Sequence, residues 1–247
     1  MASSIKTLIF LLIACCLSSC NHQPDAKKIV DRAIEAHGGD RYQRFSLSFD
    51  FRGRHYSAKR DDGLFTYERA FSDSIGQVRD VLSNEGFYRE ENGQRVDLTD
   101  KQRKAFTASV NSVIYFILLP FGLNDEAVLK KYLGEATLEG RRYHKIQVNF
   151  RQEGGGADYT DTFVYWIDQE RHTMDYLAYT NEGLRFRKAV NPRFIKGIRF
   201  VDYLNYESKL FPDAPVASLD SLYSAGKLNK LSEIINENIS VSNDDSE

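Results

Sequence analysis

The spacing of apolar residues changes along the chain, and each spacing predicts a different element. Leu8 to Leu17 is an unbroken apolar run preceded by Lys6. Ala26, Ile29, Val30, Ala33 and Ile34 then recur at helical spacing behind Asp25, a good N-cap residue, and Gly38-Gly39 closes that helix. From Phe45 the period drops to two: Phe45, Leu47, Phe49 and Phe51 alternate with polar residues, as on a strand with one buried face. Asp61-Asp62-Gly63 turns the chain, and Phe65, Tyr67, Arg69 and Phe71 continue the alternation. Asn92-Gly93 fits a type I′ hairpin turn, because both residues tolerate positive φ. The pattern is an antiparallel meander.

A helix interrupts it. Thr99 and Gln102 form a capping-box pair, and Pro120 stops the segment after Leu119. Its first half is polar, whereas Val113 to Leu119 is apolar nearly all round, as expected of a helix covered on two sides. Asp125 to Tyr132 is expected to form a further short helix. Strands are expected at Ala136–Leu138, Tyr143–Phe150, Phe163–Asp168, Met174–Thr180, Leu184–Val190 and Ile198–Tyr206, with a glycine-rich loop over 152–161. Pro212 and Pro215 mark a linker. Weak helices broken at Gly226 and a disordered acidic tail over 236–247 are expected to follow.

A long antiparallel sheet with one apolar face must cover that face, and few helices are available to do it. The expected fold is mainly β within the α+β class: a strongly curved antiparallel sheet, or half-open β-barrel, closed by one or two helices. Residues 25–208 would form one domain, and 209–247 the linker, weak helix and tail.

The leader adds an address. Its apolar run suits a signal peptide and falls short of the roughly 20 residues a spanning helix needs. Leu17-Ser18-Ser19-Cys20 resembles the lipobox of bacterial lipoprotein signal peptides. That resemblance implies a signal peptide over 1–19, acylation of Cys20, a tether over 20–24, and attachment to a membrane of the bacterial cell envelope, facing the periplasm or the surface. Several acyl chains would exceed the two signals that stable anchoring needs.

Composition narrows the chemistry. The three cysteines, Cys15, Cys16 and Cys20, all lie in the leader, so no disulfide, thiolate metal site or cysteine nucleophile is available downstream. Of the 247 residues 42% are hydrophobic and 13% aromatic, enough for a sizeable core. A net charge of −2 gives no basic field for nucleic acid. No HExxH or GxSxG occurs, and the glycine run at 154–156 lacks the Lys-Ser/Thr of a P-loop. His37 is expected to meet helix C-terminal carbonyls, and His172 to sit in a turn. No catalytic residue, metal site or cofactor is assigned, and a monomer is expected.

Three stretches carry a family likeness. His37-Gly38-Gly39 before an aromatic alternating strand resembles the start of the LolA/LolB-type lipoprotein-carrier fold. Tyr165–Tyr179, YWIDQERHTMDYLAY, is similar in pattern to a hairpin of that fold, and Asn191–Tyr206, NPRFIKGIRFVDYLNY, to its closing hairpin. The chain also resembles an uncharacterised family of bacterial lipoproteins with no assigned function. The likeness spans about 25–206 and implies a hydrophobic cavity for acyl chains or other apolar ligands.

The expected function is a membrane-anchored envelope lipoprotein that binds an acyl chain, lipid or lipoprotein between sheet and helix. Cavity candidates are Phe49, Phe51, Tyr67, Val113, Phe116, Ile117, Tyr165 and Trp166. Two alternatives stand beside it. A secreted hydrolase would need carboxylates and a histidine such as His55 or His144 to converge in one cleft. An envelope-assembly partner would show an exposed apolar patch and no cavity.

Overall fold

The computed structural model describes residues 23–154, 159–180 and 183–242. The leader, Cys20, and the glycines at 155 and 156 lie outside the described residues. Helix α1 (Ala26–His37) starts where the Asp25 carboxylate accepts from the Lys27 N–H at 2.9 Å, and it buries Ile29, Val30, Ala33 and His37. Both following glycines are needed. Gly38 lies against the Tyr42 ring, which a Cβ would meet at 2.9 Å, and Gly39 adopts a left-handed φ of 57°.

The first meander follows: β1 (Arg44–Phe51), β2 (Arg54–Asp61), β3 (Leu64–Asp73), β4 (Gly76–Ser83), β5 (Gly86–Glu91) and β6 (Gln94–Arg95). The Asn92-Gly93 turn has φ of 51° and 79°, as a type I′ turn requires. Phe45, Leu47 and Phe49 are buried on one face of β1, as the alternation predicts. Helix α2 (Asp100–Leu118) opens with the expected capping box between Thr99 and Gln102.

α2 lies between two cores, which explains its composition. Val110, Ile114, Ile117 and Leu118 join the core of the first meander, while Tyr115 and Phe116 pack against the core of the second. Its polar half covers a buried ion cluster. There Asp80 accepts from Arg69 and Arg89, Arg69 also reaches Ser109 Oγ at 2.5 Å, and the Arg89 guanidinium lies 3.6 Å from the Phe106 ring centre.

The second meander runs β7 (Val128–Leu138), β8 (Arg141–Phe150), β9 (Phe163–Asp168), β10 (Met174–Thr180), β11 (Leu184–Ile195) and β12 (Ile198–Glu207). The expected helix over Asp125–Tyr132 does not form. Its Ala, Leu and Lys residues suit a helix by propensity, but Val128 to Tyr132 pair with β8 as the first half of a long strand that bends at Gly134.

The C-terminal segment differs most from expectation. A short helix α3 (Leu219–Ser224) does form before Gly226, but it is followed by strands β13 (Asn229–Ile234) and β14 (Glu237–Ser242). The two strands split between sheets: β13 pairs with β12 and β14 pairs with β1. The result is two seven-stranded antiparallel sheets, ordered β14-β1-β2-β3-β4-β5-β6 and β13-β12-β11-β10-β9-β8-β7. Asp202 holds the corner between them. Its buried carboxylate accepts from both Arg193 Nη atoms at 2.9 Å and from the Asn236 N–H at 3.0 Å. Burial alone would raise its pKa, but Arg193 and the Asn236 and Asn191 donors bring it below the ordinary value.

The architecture is mainly β, with open sheets covered by helices, as the alternation implies. The second sheet is covered on both faces. Tyr165, Ile167, Leu177 and Tyr203 face α1 and α2, while Trp166, Tyr176 and Phe186 lie under Val216, Leu219 and Tyr223.

Candidate functional site

Two cavities flank α2. The larger, about 480 Å³, is bounded by Phe65 and Tyr67 of β3, by Phe150, Phe163 and Tyr179 of the second sheet, by α2, and by the segment from Phe121 to Val128. The smaller, about 200 Å³, lies at the corner where the sheets meet and is lined by Phe51, Arg52, Val113, Ile117, Arg187, Tyr203, Ile234 and Asn236. Ser112 and Phe116 line both.

Aromatic rings make most of the larger wall. The Phe163 and Tyr179 rings stack at 5.5 Å, Phe116 lies 5.5 Å from Tyr179, and Phe150 meets Phe163 edge-on at 5.7 Å. Polar groups are few and mostly satisfied. Tyr115 Oη bonds Tyr165 Oη at 2.9 Å, and burial raises the pKa of both phenols. Arg60 donates to Tyr67 Oη at 2.7 Å and lays its guanidinium 4.6 Å from the Phe121 ring centre. Asp125, an exposed residue, stands at the rim. Partial burial pushes its pKa up, against the opposing pull of Arg60 and Lys130. The lining offers apolar surface with polar groups at its edge, the usual make-up of a small-molecule site.

The expected cavity residues divide. Phe51, Val113 and Ile117 line the smaller cavity, Tyr67 the larger, and Phe116 both. Phe49, Tyr165 and Trp166 line neither. Phe49 is fully buried and stacked on Tyr56 at 5.3 Å, and Tyr165 is core behind Tyr115. Trp166 points the other way, as a residue adjacent to Tyr165 on a strand must, and its Nε1–H donates to Asp220 at 3.0 Å.

Arg60, Phe163, Tyr179 and Arg187 were not foreseen. Arg187 follows Phe186 in a strand that alternates apolar and basic, a pattern that assigns the arginine to solvent. That inference fails here because both faces of the second sheet are covered.

The histidines do not converge. His55 is exposed on the first sheet and bonded to Asp50 at 2.8 Å. His144 lies on β8 beside Tyr132, and His172 sits in a turn with φ 57°. No histidine among the described residues lines either cavity. Asp175 is committed to Arg199 at 2.9 Å, and no cluster of three potential metal ligands occurs among the described residues. His37 makes a different contact from the expected one: its Nε2 accepts from the Met174 N–H at 3.0 Å and pins α1 to β10. Burial, then the charge of Arg199, push its pKa down to about 3.

A family model described as "Family of unknown function (DUF6503)" matches residues 6–236. No curated protein matches the chain. Among solved structures, a DUF1329 family protein from Desulfovibrio piger superposes with a TM-score of 0.51 at 12% identity, covering 90% of this chain and 94% of that one. A LolA superfamily protein from Nitrosomonas europaea gives a TM-score of 0.51 at 10% identity, over 89% and 92% of the two chains. At these identities the likeness is one of fold, and it places this chain among LolA-like architectures. No helix among the described residues is long and apolar enough to cross a membrane.

Proposed function

The chain belongs to the DUF6503 family, whose function is unknown, and we propose that it is a membrane-anchored lipoprotein of the bacterial cell envelope that holds an acyl chain or similar apolar ligand beneath α2. One observation carries the reading: a cavity of about 480 Å³ walled by aromatic rings, within the range of about 300–1,000 Å³ usual for small-molecule sites. The LolA-like fold agrees with it, since that resemblance implies an interior space for acyl chains. The lipobox likeness at Cys20 supplies the anchor. With α1 beginning at Ala26, the tether is short enough to keep the domain against the membrane surface.

The test has two arms. Delipidated protein should take up the neutral fluorophore N-phenyl-1-naphthylamine saturably and release it to added decanoate; absence of saturable uptake defeats the binding reading. Cys20→Ser should move the protein from the membrane fraction to the soluble one, and an unchanged distribution defeats the anchor. For the hydrolase alternative, Asp125 is the single carboxylate lining the larger cavity among the described residues, and no described histidine joins it.

A further inference from the structure

The acyl-chain reading leaves the charge of the smaller cavity unexplained. Arg187 occupies a core-facing position of β11, opposite the fully buried Leu177 of β10. Its guanidinium lies 4.0 Å from the Phe116 ring centre and 5.0 Å from that of Tyr179. One N–H donates to Tyr179 Oη at 2.6 Å, while Nε is buried and has no partner. No carboxylate among the described residues pairs with it.

That sets Arg187 apart from the other arginines that reach the interior. Arg69 and Arg89 share Asp80, Arg193 has Asp202 and Arg199 has Asp175; Arg60, whose Nε is likewise buried and unpartnered, feels the charge of Asp125 without an ion pair to it. Arg187 is half-buried with its Nε out of water, and a cation so placed without a counter-ion carries a cost that two aromatic faces offset only in part. A second arginine, Arg52, lines the same cavity, and no acidic residue among the described residues does. The apolar space continues next door, since Ser112 and Phe116 form a wall common to both cavities.

We propose that the smaller cavity is an anion subsite. It takes the carboxylate or phosphate head of an amphiphile whose chain passes Phe116 into the larger cavity, and Arg187 is the residue that binds the head. The guanidinium fork suits either group, and an anionic oxygen would take the unpartnered Nε–H in a charge-assisted bond and supply the missing counter-charge. The proposal rests on the acyl-binding reading above and adds the charge of the ligand.

The test compares decanoate, decyl phosphate and decanol, which share a chain length, as displacers of N-phenyl-1-naphthylamine from the mature protein. At least one acid should bind roughly tenfold or more tightly than decanol. Arg187→Gln should reduce that acid to the affinity of the alcohol and leave decanol unchanged, while Arg187→Lys keeps part of the preference. A preference for decanoate alone assigns a fatty-acid head, and one for decyl phosphate alone assigns a phosphate head. Equal binding of all three by the wild-type protein overturns the proposal, as does a preference that survives in Arg187→Gln. In both cases decanol binding leaves the acyl reading intact. Should Arg187→Gln fail to fold, the wild-type comparison and Arg187→Lys still decide. Displacement by none of the three removes both readings.

Discussion

His37 makes the stability of the fold depend on pH in a calculable way. Its Nε2 accepts from the Met174 N–H and lies 3.4 Å from Arg199 Nη1, so the ring is held neutral with no room for a proton on that nitrogen. The pKa falls from 6.5 to about 3 on folding. Because the folded value is depressed, the unfolded chain takes up the proton first. Stability is therefore full above pH 6.5 and is lost as pH drops from there toward 3. Between pH 7 and pH 5 this one group removes about 2 kcal/mol, which is a sizeable share of a typical domain's stability. Urea unfolding at the two pH values should show it as a midpoint shift of roughly 1 M, for an m-value of about 2–3 kcal/mol/M. Other groups titrate in the same window, so the difference from a variant isolates the effect. His37→Gln keeps an acceptor for Met174 and cannot titrate, and its pH dependence should be shallower by that amount. Parallel pH dependences in the two proteins would refute the argument, as would an NMR titration of the His37 ring with a midpoint above pH 5.

Two further variants test the site and the seam. Ala108→Phe projects a ring into the larger cavity from a half-buried position on α2 and should weaken decanoate binding roughly tenfold, with little change in the urea midpoint; unaltered binding would place the ligand elsewhere. Ending the chain at Ser208 removes β13, β14 and the residues over Trp166, and should yield a protein that binds hydrophobic dyes and unfolds without a cooperative transition. A truncated chain with wild-type cooperativity would restore the view of this segment as a dispensable tail.

How much could be read in advance followed from how many faces each element buries. β1 to β5 bury mainly one face, so their alternation and the Asn92-Gly93 turn could be taken straight from the sequence. β9 buries every residue, and there the parity of neighbours mattered more than their apolarity: Tyr165 and Trp166 belong to different cores. β13 and β14 each bury a single apolar side chain, Ile234 and Val241, and what holds them is pairing to β12 and β1 across long sequence separations. No local pattern carries that information. The part of the site on α2 was visible because Val113, Phe116 and Ile117 belong to a helix apolar on too many sides for one sheet to cover. The arginines were hidden, since an alternating Phe-Arg pattern names two faces without saying that both are inside.

The size of the larger cavity constrains what it can be. Protein interiors pack at nearly crystalline density, and an unfilled space left by core truncation costs about 24 cal/mol for each Å³. On that scale a dry, sealed void of about 480 Å³ would cost roughly 11 kcal/mol, comparable with the whole stability of a domain. The space is open at its rim, so it is not such a void and holds water or a ligand. Asp125 and Gly154 are exposed lining residues, so water can reach it, but the wall within is built from Phe65, Phe116, Phe150 and Phe163, which give water little to bond. An apolar chain recovers the dispersion and transfer energy that water forfeits against those rings. The two cores lie on either side of α2, and Asp202 and Arg193 hold Asn236 at the corner where the sheets meet. Ile234 and Asn236 of that corner also line the smaller cavity beside Arg187, so the C-terminal segment both joins the sheets and walls the pocket in which a head group would sit.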